Sequence, residues 1–181
     1  MEILDICTEE GLPTGETIPR EEAHREGILH RTAHVWIVRK TEKGYDILLQ
    51  KRSMDKDSFP GFYDTSSAGH IPAGDEPLPS ALRELKEELG IEAKSEELTM
   101  IGTFRSQYEK VFRGQPFRDN EVTSVYLYQK TVDETKLVLQ PGEVDEVRWF
   151  DLEDVYNEIL VSRERFCVPS AGLQVLRKYL S

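Results

Sequence analysis

Cysteine is scarce in this chain: Cys7 and Cys167 are the two present among 181 residues, near opposite ends and without metal-ligand spacing. Such a pair gives no disulfide framework and reads as two reduced, packed thiols in a reducing compartment. Long apolar runs are missing too, and none approaches the ~18 residues of a membrane span. The opening MEILDICTEEGLPTGE is acidic and has no apolar core, so it is not read as a signal peptide. A cytoplasmic protein with no membrane partner is expected. Positive charge is also short: 23 Lys and Arg stand against 34 Asp and Glu, a formal balance of −11. Nucleic acid is therefore not an expected partner, since its binders carry a basic stripe. A small anionic ligand in a local basic pocket is compatible with that charge.

What is present suits one globular domain. Hydrophobic residues make up 38% and charged residues 31%, which is neither a disordered nor a membrane composition. No repeat or linker divides the 181 residues, enough for a single core. ILDICTEE reads as a strand, GLPTG as a turn, and PREEAHREG as a short helix or ordered loop. AHVWIVRK and YDILLQKR, joined by TEKG, have hairpin character. SMDKDSFPG reads as a polar loop and FYDTSSAGHI as extended chain. LTMIGTFRSQY and NEVTSVYLYQKT read as long strands, with EKVFRGQPFRD as the loop between them. EVRWF is a further strand, and DLEDVYNEIL and PSAGLQVLRKYL are terminal helices. Strands with interspersed helices and no βαβ alternation predict an α/β fold with a mixed, helix-flanked sheet.

The clearest helix is PSALRELKEELG, with Ala81, Leu82, Leu85 and Leu89 in one stripe and Gly90 as its stop. Glu84, Glu87 and Glu88 fall at i, i+3 and i+4, so the helix stacks three carboxylates together. They occupy a ledge beside the leucine stripe, roughly a third of a turn away, while Lys86 points to solvent. A shielded carboxylate cluster is unfavourable unless protons or a cation neutralise it. Hard oxygen ligands on one helix face suit Mg²⁺ or Mn²⁺. A surface helix laced with i,i+4 salt bridges would use the same residue types.

Outside the helix the pattern continues. Gly69, Asp75, Arg83-Glu84-Leu85, Glu87-Glu88 and Gly90-Ile91 keep fixed spacings in one continuous stretch. This resembles the signature of the Nudix hydrolases at every defined position except one, Asp75, where the family usually has Glu. The resemblance implies a Nudix-type α/β/α sandwich with a mixed sheet. The resemblance covers roughly residues 30–160, and the chain reads as one domain over residues 1–181, with 1–32 as an N-terminal extension packed on it. It implies cleavage of a phosphoanhydride bond by water with Mg²⁺ or Mn²⁺, on a small-molecule diphosphate. Carried over, Glu87 and Glu88 are metal ligands, Glu84 a further ligand or the base, and Gly69 a ligand through its carbonyl. Arg83 pairs with Asp75 as a brace, weakened because Asp is one methylene short. Lys51, Arg52 and Lys56 are candidates for phosphate binding, and Arg105, Lys110, Arg113 and Arg118 flank a later loop. Glu121, or else Glu143, is a candidate for an additional metal-binding or water-activating acid. Tyr63, Phe112 and Phe117 are candidates to stack on a base or line a prenyl pocket. Many relatives are dimers, so a homodimer is compatible with the resemblance.

Within the family, EEAHREGILHR, ILLQKRSMDKDSFPGFYDTSSAGH and DNEV are similar to the branch containing isopentenyl-diphosphate isomerases. That similarity implies a possible second metal at His24, His30, His70 and Glu121. The isomerase cysteine that precedes the box glycine is replaced by Ala68, which has no proton to transfer. Its absence and the intact glutamates favour hydrolysis, of an isoprenoid diphosphate or a nucleoside diphosphate derivative. Isopentenyl-diphosphate isomerisation is the alternative, and a non-catalytic diphosphate-binding module ranks last because such modules usually lose box glutamates.

Overall fold

The computed structural model describes residues 1–181. An N-terminal hairpin of β1 (Ile3–Cys7) and β2 (Pro13–Pro19) leads into the short helix α1 (Arg20–Glu26). The long strand β3 (His30–Lys40) then pairs antiparallel with β4 (Tyr45–Arg52). Short strands β5 (Tyr63–Asp64) and β6 (Ser67–His70) precede helix α2 (Pro77–Leu89). Strands β7 (Leu98–Phe112), β8 (Gln115–Tyr128) and β9 (Val144–Asp151) follow, and helices α3 (Leu152–Val161) and α4 (Ser170–Leu180) close the chain. The sheet runs β5-β4-β3-β8-β7, with β6 on β3 and β9 on β4. Its β3–β8 pair is parallel and the rest antiparallel, so the sheet is mixed.

Strand alternation sorts side chains into two layers. From β3, Ala33, Val35 and Ile37 pack on α2 through Ala81, Leu85 and Leu89. Trp36 and Val38 face the other way, onto α3 and α4 through Val155, Ile159, Leu173 and Leu176. Helix α2 starts with proline at its first turn, where a missing N–H costs nothing, and ends at Gly90 with φ 72°. Leu85 and Leu89 are fully buried, and Lys86 is exposed, as the stripe predicts.

Two expected boundaries are corrected. The segment EKVFRGQPFRD is strand rather than loop: β7 and β8 stay paired to Phe112↔Gln115, and Arg113-Gly114 makes the turn. GLPTG is not wholly a turn, because β2 begins at Pro13. Cys7 and Cys167 are unpaired. No helix is long and apolar enough to cross a membrane.

On the α3/α4 side, β3 and β8 share one transition. His30, Thr32 and His34 precede Trp36, while in parallel register Glu121, Thr123 and Val125 precede Leu127. The polar ends leave a cavity of about 290 Å³, which α1 helps to close with His24. Residues 1–26 are fastened there by a buried ion pair of Arg31 and Asp5 at 2.9 Å. Arg31 also donates to the Asp75 carbonyl at 2.9 Å, so the loop before α2 is tied to the N-terminal hairpin.

Candidate active site

Helix α2 delivers Glu84, Glu87 and Glu88 to one wall of the cavity. They differ sharply in environment. Glu87 is half exposed, Glu84 is largely shielded, and Glu88 is 6% exposed. Glu88 accepts from Ser67 Oγ at 2.8 Å, the Ala68 N–H at 2.9 Å and Gln50 Nε2 at 3.1 Å. Burial and the neighbouring Glu84 push its carboxyl up to about 7, against the pull of those three donors. Burial likewise raises Glu84, opposed by its 3.1 Å contact with Arg83. Gly69 is there for space: a Cβ would lie 2.3 Å from Glu84 Cδ. Arg83 meets Asp75 at 3.4 Å, a long and half-exposed pair, as the short side chain predicts.

Beside them gather His24 from α1, His30 from β3, His70 from β6 and Glu121 from β8; His24, His70 and Glu121 line the same cavity, and His30 is fully buried. Their ligating atoms all lie within 4.8 Å of one another. The three imidazole centroids are 5.1, 5.1 and 5.2 Å apart. His30 Nδ1 lies 2.8 Å from the Ile28 carbonyl, an acceptor only, so Nδ1 donates there, and Nε2 lies 3.5 Å from Glu121 Oε1. Nε2 of all three rings is buried without a hydrogen-bond partner. Burial and the nearby His30 lower His24 to about 4, and burial lowers His70 well below the ordinary histidine range. Burial opposes ionisation of Glu121, but the proximity of His30 and His70 outweighs it and lowers the carboxyl. Imidazoles gathered around an ionised carboxylate, with nitrogens that lack a hydrogen-bond partner, fit a divalent cation.

Asp119 belongs to this cluster and escapes the sequence reading. It is buried, faces the same side of β8 as Glu121, and lies 3.5 Å from His24 Nε2. Burial and the Glu121 charge push its carboxyl up. The two-residue spacing Asp119-x-Glu121 is the available signal. Arg20 is a second omission: it lines the cavity, its buried Nε without a hydrogen bond and 3.7 Å from the Glu2 carboxylate.

The remaining candidates divide. Arg52 lines the cavity, with its guanidinium held by the Ser58 carbonyl and Oγ at 3.0 Å and Asp64 at 3.3 Å. Lys56 also lines it, paired with Glu143. Lys51 does not, because alternation along β4 turns it away from Gln50 and Arg52. Tyr63 is a core residue packed on Phe150 and Phe166, its hydroxyl bonded to Glu146. Phe117 lines the cavity and stacks on His24 at 4.3 Å, whereas Phe112 packs behind it at 5.6 Å. Arg105, Lys110, Arg113 and Arg118 lie outside this cavity. Arg105, Arg113 and Arg118 hydrogen-bond Asn120, the Met54 carbonyl and the Arg25 carbonyl, and Lys110 sits over the Phe59 ring.

With this geometry in view, the likeness to known proteins is specific. The NUDIX domain family model matches residues 28–168. Nudix hydrolase 3 of Arabidopsis thaliana is 41% identical over 93% of this chain, although the chain spans only 21% of that protein. An uncharacterized Nudix hydrolase of Clostridium acetobutylicum is 39% identical over 79% of the chain and 66% of its own length. An isopentenyl-diphosphate Delta-isomerase of Cereibacter sphaeroides is 30% identical over 84% of the chain and 81% of its own length. In structure, a Deinococcus radiodurans protein superposes with a TM-score of 0.67 at 19% identity, over 98% of this chain and 99% of that one. The NUDIX domain of Shewanella oneidensis NrtR, complexed with ADP ribose, gives 0.60 at 17% identity, over 91% of this chain and 100% of that one. These two structures share the fold, an α/β/α sandwich with a mixed sheet. By sequence, fold and box residues, the chain belongs to the Nudix hydrolase family.

Proposed function

We propose that this protein is a Mg²⁺- or Mn²⁺-dependent hydrolase of the phosphoanhydride bond in a small-molecule diphosphate, an isoprenoid diphosphate or a nucleoside diphosphate derivative. One observation carries the reading: Glu84, Glu87 and Glu88 share a cavity with three cationic side chains, Arg20, Arg52 and Lys56. An acidic wall alone would repel a diphosphate, and a basic wall alone would not activate it. Residues 1–32 act as an extension of a single Nudix domain and supply Arg20, His24 and His30.

Glu87 and Glu88 hold the cation, with Gly69 contributing its carbonyl, and Gln50 and Ser67 orient Glu88. Glu84 either joins them or takes the proton of the attacking water. Arg83 and Asp75 brace the helix against its loop. When bound, the divalent ion neutralises phosphate charge and makes the phosphorus easier to attack. Water adds to phosphorus, the bridging P–O bond breaks, and the leaving phosphate is held by Arg20, Arg52 and Lys56. His24, His30, His70 and Glu121 form a second cation site, completed by Asp119.

A second reading, isopentenyl-diphosphate isomerisation, draws support from that histidine cluster and from the 30% identical isomerases. Ala68 opposes it, standing where that branch carries its proton-transferring cysteine. A ³¹P NMR time course with Mg²⁺, using isopentenyl diphosphate beside a nucleoside-diphosphate panel, separates the two. New monophosphate or phosphate signals that vanish in Glu87→Gln establish hydrolysis. Unchanged phosphorus with shifted allylic proton signals establishes the isomerase, and an unreacted panel removes both.

A further inference from the structure

The diphosphate and cation walls leave one face of the cavity without a role. His30, Thr32 and His34 alternate along β3 toward the same side. The first two are accounted for, by the Ile28 carbonyl and by Thr123 at 2.6 Å. His34 is not. It is 7% exposed and lines the cavity, and its neighbour in ring contact is Phe104, edge-on at 5.8 Å. No protein group hydrogen-bonds its imidazole, and the residue borders the cavity.

Its place in the ladder is informative. His34 lies directly opposite Ala68 in the antiparallel β3–β6 pair. Such residues share a face with Cβ atoms about 4.5–5.5 Å apart, so the small Ala68 methyl leaves the space before the imidazole open. Ser106 and Tyr108, two apart on β7, line the same cavity, and their hydroxyls have no protein partner either. Burial keeps the imidazole neutral, with one N–H and one lone pair, and keeps the phenol protonated. A hydrocarbon entering here would displace water from three polar groups and return nothing. A group bearing an oxygen would replace those bonds.

We propose that His34 hydrogen-bonds the organic group of the diphosphate substrate and makes the cavity selective for an organic group bearing a hydroxyl or carbonyl oxygen over a bare hydrocarbon. The inference rests on the diphosphate-hydrolase reading of this cavity. Sites built to bond a substrate hydroxyl reject the analogue lacking it far more strongly than apolar pockets reject an added hydroxyl.

The test uses a matched pair, 3-hydroxy-3-methylbutyl diphosphate and isopentenyl diphosphate, which share a carbon skeleton and differ by addition of water. With Mg²⁺, the native protein is expected to favour the hydroxylated compound in kcat/KM by on the order of ten-fold or more. His34→Leu should bring that ratio toward one by loss on the hydroxylated substrate, and His34→Gln should restore part of it. A ratio unchanged in folded His34→Leu overturns the inference. A binding readout separates this from failure of the hydrolase reading, which would show as no turnover of either compound by native protein. In imidazole ¹⁵N spectra, His34 signals, identified by their loss in His34→Gln, should move with the hydroxylated diphosphate and much less with isopentenyl diphosphate. Equal movement, or none, contradicts the contact whether or not turnover is seen.

Discussion

The glutamates of α2 come from one helix and reach the cavity already partnered, Glu88 with three donors and Glu84 with Arg83. The histidine cluster beside them comes from four elements, α1, β3, β6 and β8, and arrives with three nitrogens that lack a hydrogen bond. The first arrangement is stable in the absence of a cation because hydrogen bonds and a raised pKa absorb its charge. The second leaves buried polar atoms unpaired, which is costly unless a ligand satisfies them. Two walls of one cavity thus differ in how strongly each depends on what binds.

The sharpest way to break this contrast is at the glutamates. Glu87→Gln and Glu88→Gln should each lower turnover by on the order of 10³-fold, matching several kcal/mol of lost charge stabilisation. Glu87 is half exposed, so the melting temperature of Glu87→Gln should stay near native; Glu88 is buried and held by three donors, so the turnover of Glu88→Gln is compared per folded protein. Near-native turnover in both variants would contradict the role. Leu85→Ala acts in the opposite sense: it should cost about 2–5 kcal/mol of stability by emptying a fully buried site. Chemical denaturation measures it, and an unmoved midpoint would mean the packing face is misassigned.

Gln50→Ala tests whether the partnering of Glu88 matters to the metal. Loss of such an orienting hydrogen bond typically weakens metal affinity about 10–100-fold, readable by Mn²⁺ titration. A smaller effect concerns pH. Glu88 moves up from 4.5 to about 7 on folding. The folded protein therefore holds a proton that the unfolded chain releases, and metal-free stability should fall as pH rises through that window. Added Mg²⁺ or Mn²⁺ should raise the melting temperature more at pH 8 than at pH 5, and Glu88→Gln should flatten the metal-free slope. A slope unchanged in that variant would assign the pH dependence to another group.

The same contrast explains what the sequence makes legible. Spacing inside one helix survives in the linear string, so Glu84, Glu87, Glu88 and the leucine stripe are readable, while Gly69 comes from the resemblance to the Nudix signature. A site assembled across four elements has no spacing of its own. His24, His30, His70 and Glu121 come from resemblance, while Asp119, Arg20 and His34 carry only the faint mark of alternation within a strand. The β7–β8 hairpin was hidden by its turn. Arg113 at φ 52° and Gly114 at φ 77° form the tight two-residue connection, and arginine is not the residue that advertises positive φ. Lys51, a phosphate-binding candidate, and Tyr63, a stacking candidate, lie off the cavity because strand parity, invisible until the register is known, sends them to the other face.

The most direct measurement is Mn²⁺ stoichiometry by equilibrium dialysis on native protein, Glu87→Gln/Glu88→Gln and His24→Ala/His30→Ala. Two ions per chain, with one lost in each double variant, is the result expected of a cavity with two cation-holding walls. A single ion that ignores the histidine substitutions would contradict that account and leave the bare nitrogens unexplained.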